Sequence, residues 1–407
     1  MTEGKIRNLI NHDNILLSIV IPTRNRLEYC RFSIQSILRI PFPSIQLVIE
    51  DNSDHNNLES WVKDNVSDMR LSYHYSNTPI SMVENYERAM ERTIGEYVCL
   101  LGDDDGLNPE IVDATRWMKA NAFDALLPAA PVHYVWPDLK MRTGSQAPGE
   151  LRIGSFTGDI SFPDPQVEIC KCAQSAGQCF HNLPKVYYGI VRRVCLEQVR
   201  NKAGKYFPGV SPDMAVAISV ADVVDRMCRI DYPLFVPGSS ARSNAGIGGI
   251  GKHIGRLRDQ PHLPANSEQT WSKIVPAFYS VETIWAEAAV KALQAIGRTD
   301  ILTDFNVPRL YADLVMWHPE YISLTVRSFF RALKSIKRSY LIGTLQFVGR
   351  WFYVWGLRAK SMGLRLACST PSSTFQSVNG LQDIGQAVDA LTMYLKASGR
   401  RFDEKLP

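Results

Sequence analysis

Hydrophobic positions in the first hundred residues alternate between two periods. Leu16-Leu-Ser-Ile-Val-Ile-Pro22 is a short, nearly continuous apolar run with β-branched residues and a closing proline, the pattern of a strand buried on both faces. Leu27, Cys30, Ile34, Ile37 and Leu38 then recur at three- and four-residue steps, which predicts a helix over 27–38. Gln46–Glu50 predicts a second buried strand, and Asp51-Asn-Ser-Asp54 supplies turn chemistry and a cap for a helix beginning near Leu58. A third strand over Leu71–Tyr75, a helix over Met82–Thr93 and a fourth strand over Tyr97–Leu101 follow. Alternation of this kind predicts a mostly parallel α/β sheet with helices on both faces. In such sheets ligands settle beyond the carboxyl ends of the strands, so the loops after Ile21, Ile49 and Leu101 should line one crevice.

From about Asp124 the rhythm is irregular, with strands near Leu126 and over Tyr187–Val191 and a helix after Pro212. A Gly- and Ser-rich stretch follows Pro237, and the pattern is helical from Trp271 onward. The expected organisation is an extension over 1–15, an α/β domain over 16–245, a glycine-rich flexible loop over 246–270 and a helical C-terminal module over 271–407. The chain has 407 residues, 45% hydrophobic and 21% charged, the composition of a folded globular protein of more than one compact unit. Its net charge of +4 is too slight to direct it to nucleic acid. The polar N-terminus shows no export signal and no apolar run is long enough to span a bilayer, which predicts a cytoplasmic protein with reduced cysteines. Cys170, Cys172, Cys179 and His181 do not match a common zinc spacing.

Three successive acids, Asp103, Asp104 and Asp105, leave the fourth strand. Their like charges repel unless a cation neutralises them, and hard oxygen donors suit Mg²⁺ or Mn²⁺. The plainer alternative is a solvated acidic turn ahead of the helix after Pro109.

Ile19-Val-Ile-Pro-Thr-Arg-Asn25, Leu47-Val-Ile-Glu-Asp-Asn-Ser53, Asn77 with Asn85, and Gly95-Glu-Tyr-Val-Cys-Leu-Leu-Gly-Asp-Asp-Asp105 stand in the order and spacing of a known family. The segment resembles the N-terminal half of family 2 glycosyltransferases, GT-A fold enzymes that use nucleotide-diphosphate sugars. The resemblance is close over about 16–115 and looser over 116–240. It implies that Pro22, Thr23, Asn25 and Asp51 hold the nucleoside with Asn85 nearby, and that Asp103 and Asp104 face the donor. It further implies that Asp105, with Asp103, holds Mn²⁺ or Mg²⁺, and that the donor is a UDP-sugar. Arg24 departs from the family, which often has an aromatic residue there.

Such a transfer needs a base on the sugar face opposite the leaving phosphate. Asp213, in Ser211-Pro212-Asp213, stands where the family places the general base of an inverting displacement; otherwise it is a helix cap. Gly246–His253 mimics two nucleotide-binding fingerprints without their context, and its expected use is a flap in which Arg242, Lys252 and His253 close over the diphosphate, or else a linker. Residues 327–365 hold nine basic residues and no acid among many aromatics, which predicts peripheral contact with an anionic membrane; packing on the catalytic domain or a second copy is the alternative. Together these features predict an inverting, metal-dependent glycosyltransferase acting on a glycan or lipid-linked glycan, and the resemblance implies a place in bacterial surface-polysaccharide assembly. A catalytically inactive scaffold of the same fold is the second reading.

Overall fold

The protein is described by a computed structural model over residues 15–140, 146–243, 246, 254–260, 262–367 and 375–402. The chain first runs through β1 (Leu17–Thr23), α1 (Leu27–Leu38), β2 (Ile45–Asp51), α2 (Asn57–Asn65), β3 (Leu71–Tyr75), α3 (Met82–Glu91), β4 (Tyr97–Leu100) and β5 (Gly106–Leu107). It continues through α4 (Ile111–Ala120), β6 (Ala125–Pro128), β7 (Val132–Val135), β8 (Leu151–Ile153), β9 (Ile160–Ser161), α5 (Pro165–Gln174), β10 (Ile190–Arg192), α6 (Arg193–Ala203) and α7 (Pro212–Ala221). β11 (Met227–Ile230), β12 (Phe235–Val236) and β13 (Gly238–Ser239) complete this half.

An eight-stranded sheet has the order β3-β2-β1-β4-β10-β6-β11-β9. β3, β2, β1 and β4 are parallel, whereas β10 enters antiparallel between β4 and β6. Both β1 and β2 are buried along their whole length, which is why they read as continuous apolar runs. Their inward polar groups are satisfied: Ser18 Oγ donates to Gln46 Oε1 at 2.6 Å and accepts from Gly95 N at 2.8 Å. One sheet face packs on α1 and α4, and the other on α3 and α6. At α3 the Ser81 hydroxyl accepts from Glu84 N while the Glu84 carboxylate accepts from Ser81 N, so two orphan donors of the first turn are satisfied.

α7 is buried on nearly every side, as its uniformly apolar sequence demands. Val216 and Val220 join the sheet core, while Met214, Ala217 and Ile218 join a second core built with the helices Val281–Ala295 and Val307–Trp317. The helices Ile322–Ser335 and Tyr340–Ala367 extend this body, and Arg350 grips Asp313 through two bonds of 2.8 and 2.9 Å.

The helical module does not run unbroken to the C-terminus. β14 (Gln376–Val378) pairs antiparallel with β8, and the helix Ile384–Ala397 lays Ile384, Val388, Leu391 and Leu395 into the core beside α1 and β5. Residues 376–402 thus belong to the α/β unit, because that apolar face finds its complement there. Among the described residues no helix is long and apolar enough to cross a membrane.

Candidate active site

A cleft of about 600 Å³ opens at the carboxyl ends of β1 and β4. Pro22, Thr23, Arg24, Asn25 and Arg26 form one side, Gly102, Asp103 and Asp104 the floor, and Tyr86, Tyr187, Arg242 and Tyr279 the far walls. The position is the one expected of a parallel sheet, where helix N-termini and loops converge beyond the strand ends.

The loop after β1 is held by its neighbours. Asn25 takes a left-handed backbone (φ 56°), its N–H donates to Ser53 Oγ at 2.7 Å, and its side chain exchanges two bonds with Asp54 at 2.8 and 2.9 Å. Arg24 pairs with Asp54 at 3.0 Å, so the departure from an aromatic residue serves to bind the two loops together. Thr23 Oγ1 donates to Asp103 Oδ2 at 2.6 Å. Asn85 reaches from α3 to the carbonyls of Thr23 and Glu50, at 3.4 and 3.2 Å, and its buried Oδ1 has no hydrogen-bond partner.

Each acid after β4 has different company. Asp103 sits against the Arg26 guanidinium at 2.9 Å, in a contact too bent to count as a hydrogen bond, so it is ionic in character. Asp104 Oδ2 meets the same guanidinium at 2.9 Å and accepts from Ser240 Oγ at 2.7 Å and Ser240 N at 3.2 Å. Asp105 accepts from Gly238 N and Gly102 N, each at 2.7 Å, and from Tyr188 and Tyr187 at 2.8 and 3.3 Å. Burial pushes the Asp105 carboxyl up to about 7, with Asp104 adding to the shift. Burial likewise pushes Asp103 up to about 6 although Arg26 opposes it. Burial alone would lower Arg26, but Asp103 and Asp104 outweigh it and hold the guanidinium firmly charged.

Pro22, Thr23, Asn25, Asn85, Asp103, Asp104 and Arg242 all line the cleft; Asp51, Asp105 and Asp213 do not. Asp51 is fully buried, accepting from Ser53 and from Tyr73 Oη at 2.6 Å, so the acid expected on the base is engaged within the protein. Asp213 Oδ1 is held by the Ser211 hydroxyl and by Met214 N at 2.8 Å. Its charge acts on Tyr86 and Tyr279 of the cleft wall and on Lys185, whose pKa is lowered by burial. Arg242 pairs with Glu28 at 2.5 Å, while Lys252 and His253 lie outside the described residues.

A divalent ion was expected on Asp105 and Asp103, and the donor set does not fit it. Asp105 is already engaged by four protein donors, and Asp103 shares the Arg26 guanidinium with Asp104. No group of three or more His, Cys, Asp or Glu among the described residues is placed to hold a metal. Sequence reasoning missed Arg26 and Ser240. Arg26 sits one residue past the first motif, and Ser240 is recognisable only once β13 is laid beside the acids.

The mostly parallel sheet flanked by helices on both faces is the α/β architecture of the GT-A fold. Residues 18–173 match the model of glycosyl transferase family 2. No curated protein sequence matches the chain. Among solved structures it is similar to S. aureus TarS, at 18% identity over 56% of this chain and 37% of that chain, with a TM-score of 0.39. It is also similar to S. aureus TarS 1-349 in complex with UDP-GlcNAc, at 14% identity over 80% of this chain and 93% of that one, with a TM-score of 0.43. With the UDP complex of the same protein the figures are 14%, 90%, 98% and 0.43. The chain thus spans little more than a third of the longest of these proteins.

Proposed function

We propose that the protein transfers a sugar, with inversion, from a nucleoside-diphosphate sugar to a hydroxyl of a glycan or lipid-linked glycan, in bacterial surface-polysaccharide assembly. The observation that carries this reading is the cleft at the carboxyl ends of β1 and β4, which two acids and three arginines line within or beside the segment that matches glycosyl transferase family 2. Pro22, Thr23, Asn25 and Asn52 bound the space for the nucleoside, and Arg242 brings positive charge to the side of the cleft where the diphosphate would lie. In the transfer, the bond from the anomeric carbon to the acceptor oxygen forms as the bond to the phosphate breaks. Asp213, set behind the cleft wall where its charge acts on Tyr86 and Tyr279, is the base assigned to the hydroxyl proton, and it is held by Ser211 and Met214 N. No step is assigned to Mn²⁺ or Mg²⁺, since Arg26 stands against both acids that face the cleft.

A lipid-linked acceptor accords with a peripheral membrane contact through 327–365. Leu341, Leu345, Val348, Phe352 and Trp355 recur at steps of four and three along one helix and are all exposed, Leu341 by 72%. Exposed Arg327, Arg331 and Lys334 stand on the preceding helix. Residues 321–382 carry no acid, so a second copy would set like charges together, whereas an anionic bilayer complements them. Arg350 and Arg358 do not contribute, being tied to Asp313 and to Met316 O.

A thermal-shift panel of nucleoside diphosphates and their sugars tests the donor class, UDP and UDP-sugars first. A ligand at a hundredfold excess over its Kd adds about 2.7 kcal/mol, a rise in Tm on the order of 5 °C for the α/β unit. A panel without any shift would leave the reading untenable.

A further inference from the structure

Asp103, Asp104 and Asp105 are 2%, 4% and 0% exposed, and three carboxylates so placed require opposite charge close by. Among the described residues the cation paired with them is Arg26. Its fork touches Asp103 and Asp104 at 2.9 Å each and donates to Ser240 Oγ at 2.8 Å, while the Tyr29 ring lies 5.1 Å from its central carbon. Ser240 closes the arrangement by donating in turn to Asp104, so acid, hydroxyl and guanidinium form one small network. The Arg26 side chain is itself only 18% exposed.

We propose that Arg26 is a resident counter-cation that closes the Asp103–Asp104 corner to divalent metal ions. A metal entering there must push the guanidinium aside, and a buried charge deprived of its partners is strongly disfavoured. The planar fork already serves two carboxylates at once, whereas Mg²⁺ would have to shed tightly held water and find near-octahedral oxygen donors. Asp105 cannot stand in, since its oxygens accept from Gly238, Gly102, Tyr188 and Tyr187. The inference rests on these contacts alone and holds whether or not the protein transfers sugar.

Mn²⁺ binding, followed by the loss of the free-ion electron paramagnetic resonance signal, tests it without any donor or acceptor. Arg26→Gln is expected to bind Mn²⁺ at least about tenfold more tightly than the wild type, because it leaves two carboxylates without their cation. Adding Asp104→Asn to that variant should abolish the gain and so place the ion at this corner. Arg26→Lys, which keeps the charge but cannot fork across both acids, should fall between the two and serves if Arg26→Gln does not fold. Wild-type protein that binds Mn²⁺ as tightly as Arg26→Gln or Arg26→Lys, alone or with UDP, and loses the ion on Asp104→Asn, would overturn the proposal.

Discussion

Gly238 leaves no room in the frame of the cleft for a side chain. A Cβ there would lie 2.0 Å from the Asp104 carbonyl oxygen and 3.1 Å from Trp136 Nε1, with backbone rather than a flexible side chain as the obstacle. The residue also donates its N–H to Asp105 Oδ1 at 2.7 Å, and Trp136 Nε1 donates to that same Asp104 carbonyl at 2.9 Å. In Gly238→Ala the strand must retreat by about 1 Å, since carbon and oxygen need more than ~3 Å. Retreat strains or breaks a charge-assisted bond of about 1.5–3 kcal/mol and a neutral one of about 1 kcal/mol, besides overpacking. The reduced freedom of the unfolded chain returns only about 0.4–1 kcal/mol. We expect a net loss of about 3 kcal/mol or more, read as a lower urea midpoint in the tryptophan fluorescence, and a weaker response to UDP. Gly349, on the long exposed helix, has open space around its Cβ, so Gly349→Ala should instead stabilise by about 0.5–1 kcal/mol. A Gly238→Ala protein within 1 kcal/mol of wild type, or the same sign in both variants, would refute the argument.

Asp213→Asn should lower transfer by about 10²–10⁴-fold with nucleotide-induced stabilisation unchanged; equal loss of both would remove the base assignment. Glu287 is fully buried, accepts from Ser272 N at 2.8 Å and leaves Oε2 without a hydrogen bond, and burial raises its pKa above 4.5. An acid raised on folding is favoured when protonated, so its penalty is absent below that value and grows as pH climbs through the raised one. Glu287→Gln should therefore flatten the stability profile and gain on wild type as the pH rises above 4.5; a gap independent of pH would contradict the sign. Replacing exposed Arg327, Arg331 and Lys334 with Gln should weaken co-flotation with phosphatidylglycerol vesicles on the order of 100-fold, at about 1 kcal/mol per charge. Equal flotation of both proteins, or none by either, would remove the membrane reading.

Much of the α/β unit is legible because its chemistry is local. β1, β2 and β4 announce themselves as short, mostly apolar runs, α1 as a stripe, and the acids as a cluster at a strand end. What stayed hidden depends on partners far along the chain. Ser240 reaches Asp104 across 136 positions, Arg350 finds Asp313 across 37, and Tyr187 and Tyr188 hold Asp105 across 82 and 83. The apolar face of Ile384–Ala397 is visible in the letters, but not that it covers α1 and β5 rather than its neighbours in sequence. Asp51 shows the converse: a polar residue in a promising loop can be consumed by the adjacent strand, here through Tyr73.

The doubly packed α7 bears on how this protein could be shortened. One flank leans on the sheet and the other on Val281–Ala295, and Asp213 stands at its first turn. Trimming the chain ahead of Val281 to obtain a minimal fragment would bare Met214, Ala217 and Ile218 to water and invite aggregation. Such a fragment would also lose Ile384–Ala397 from its seat on α1 and β5, so the scaffold under the cleft would be uncovered together with the helix that carries Asp213.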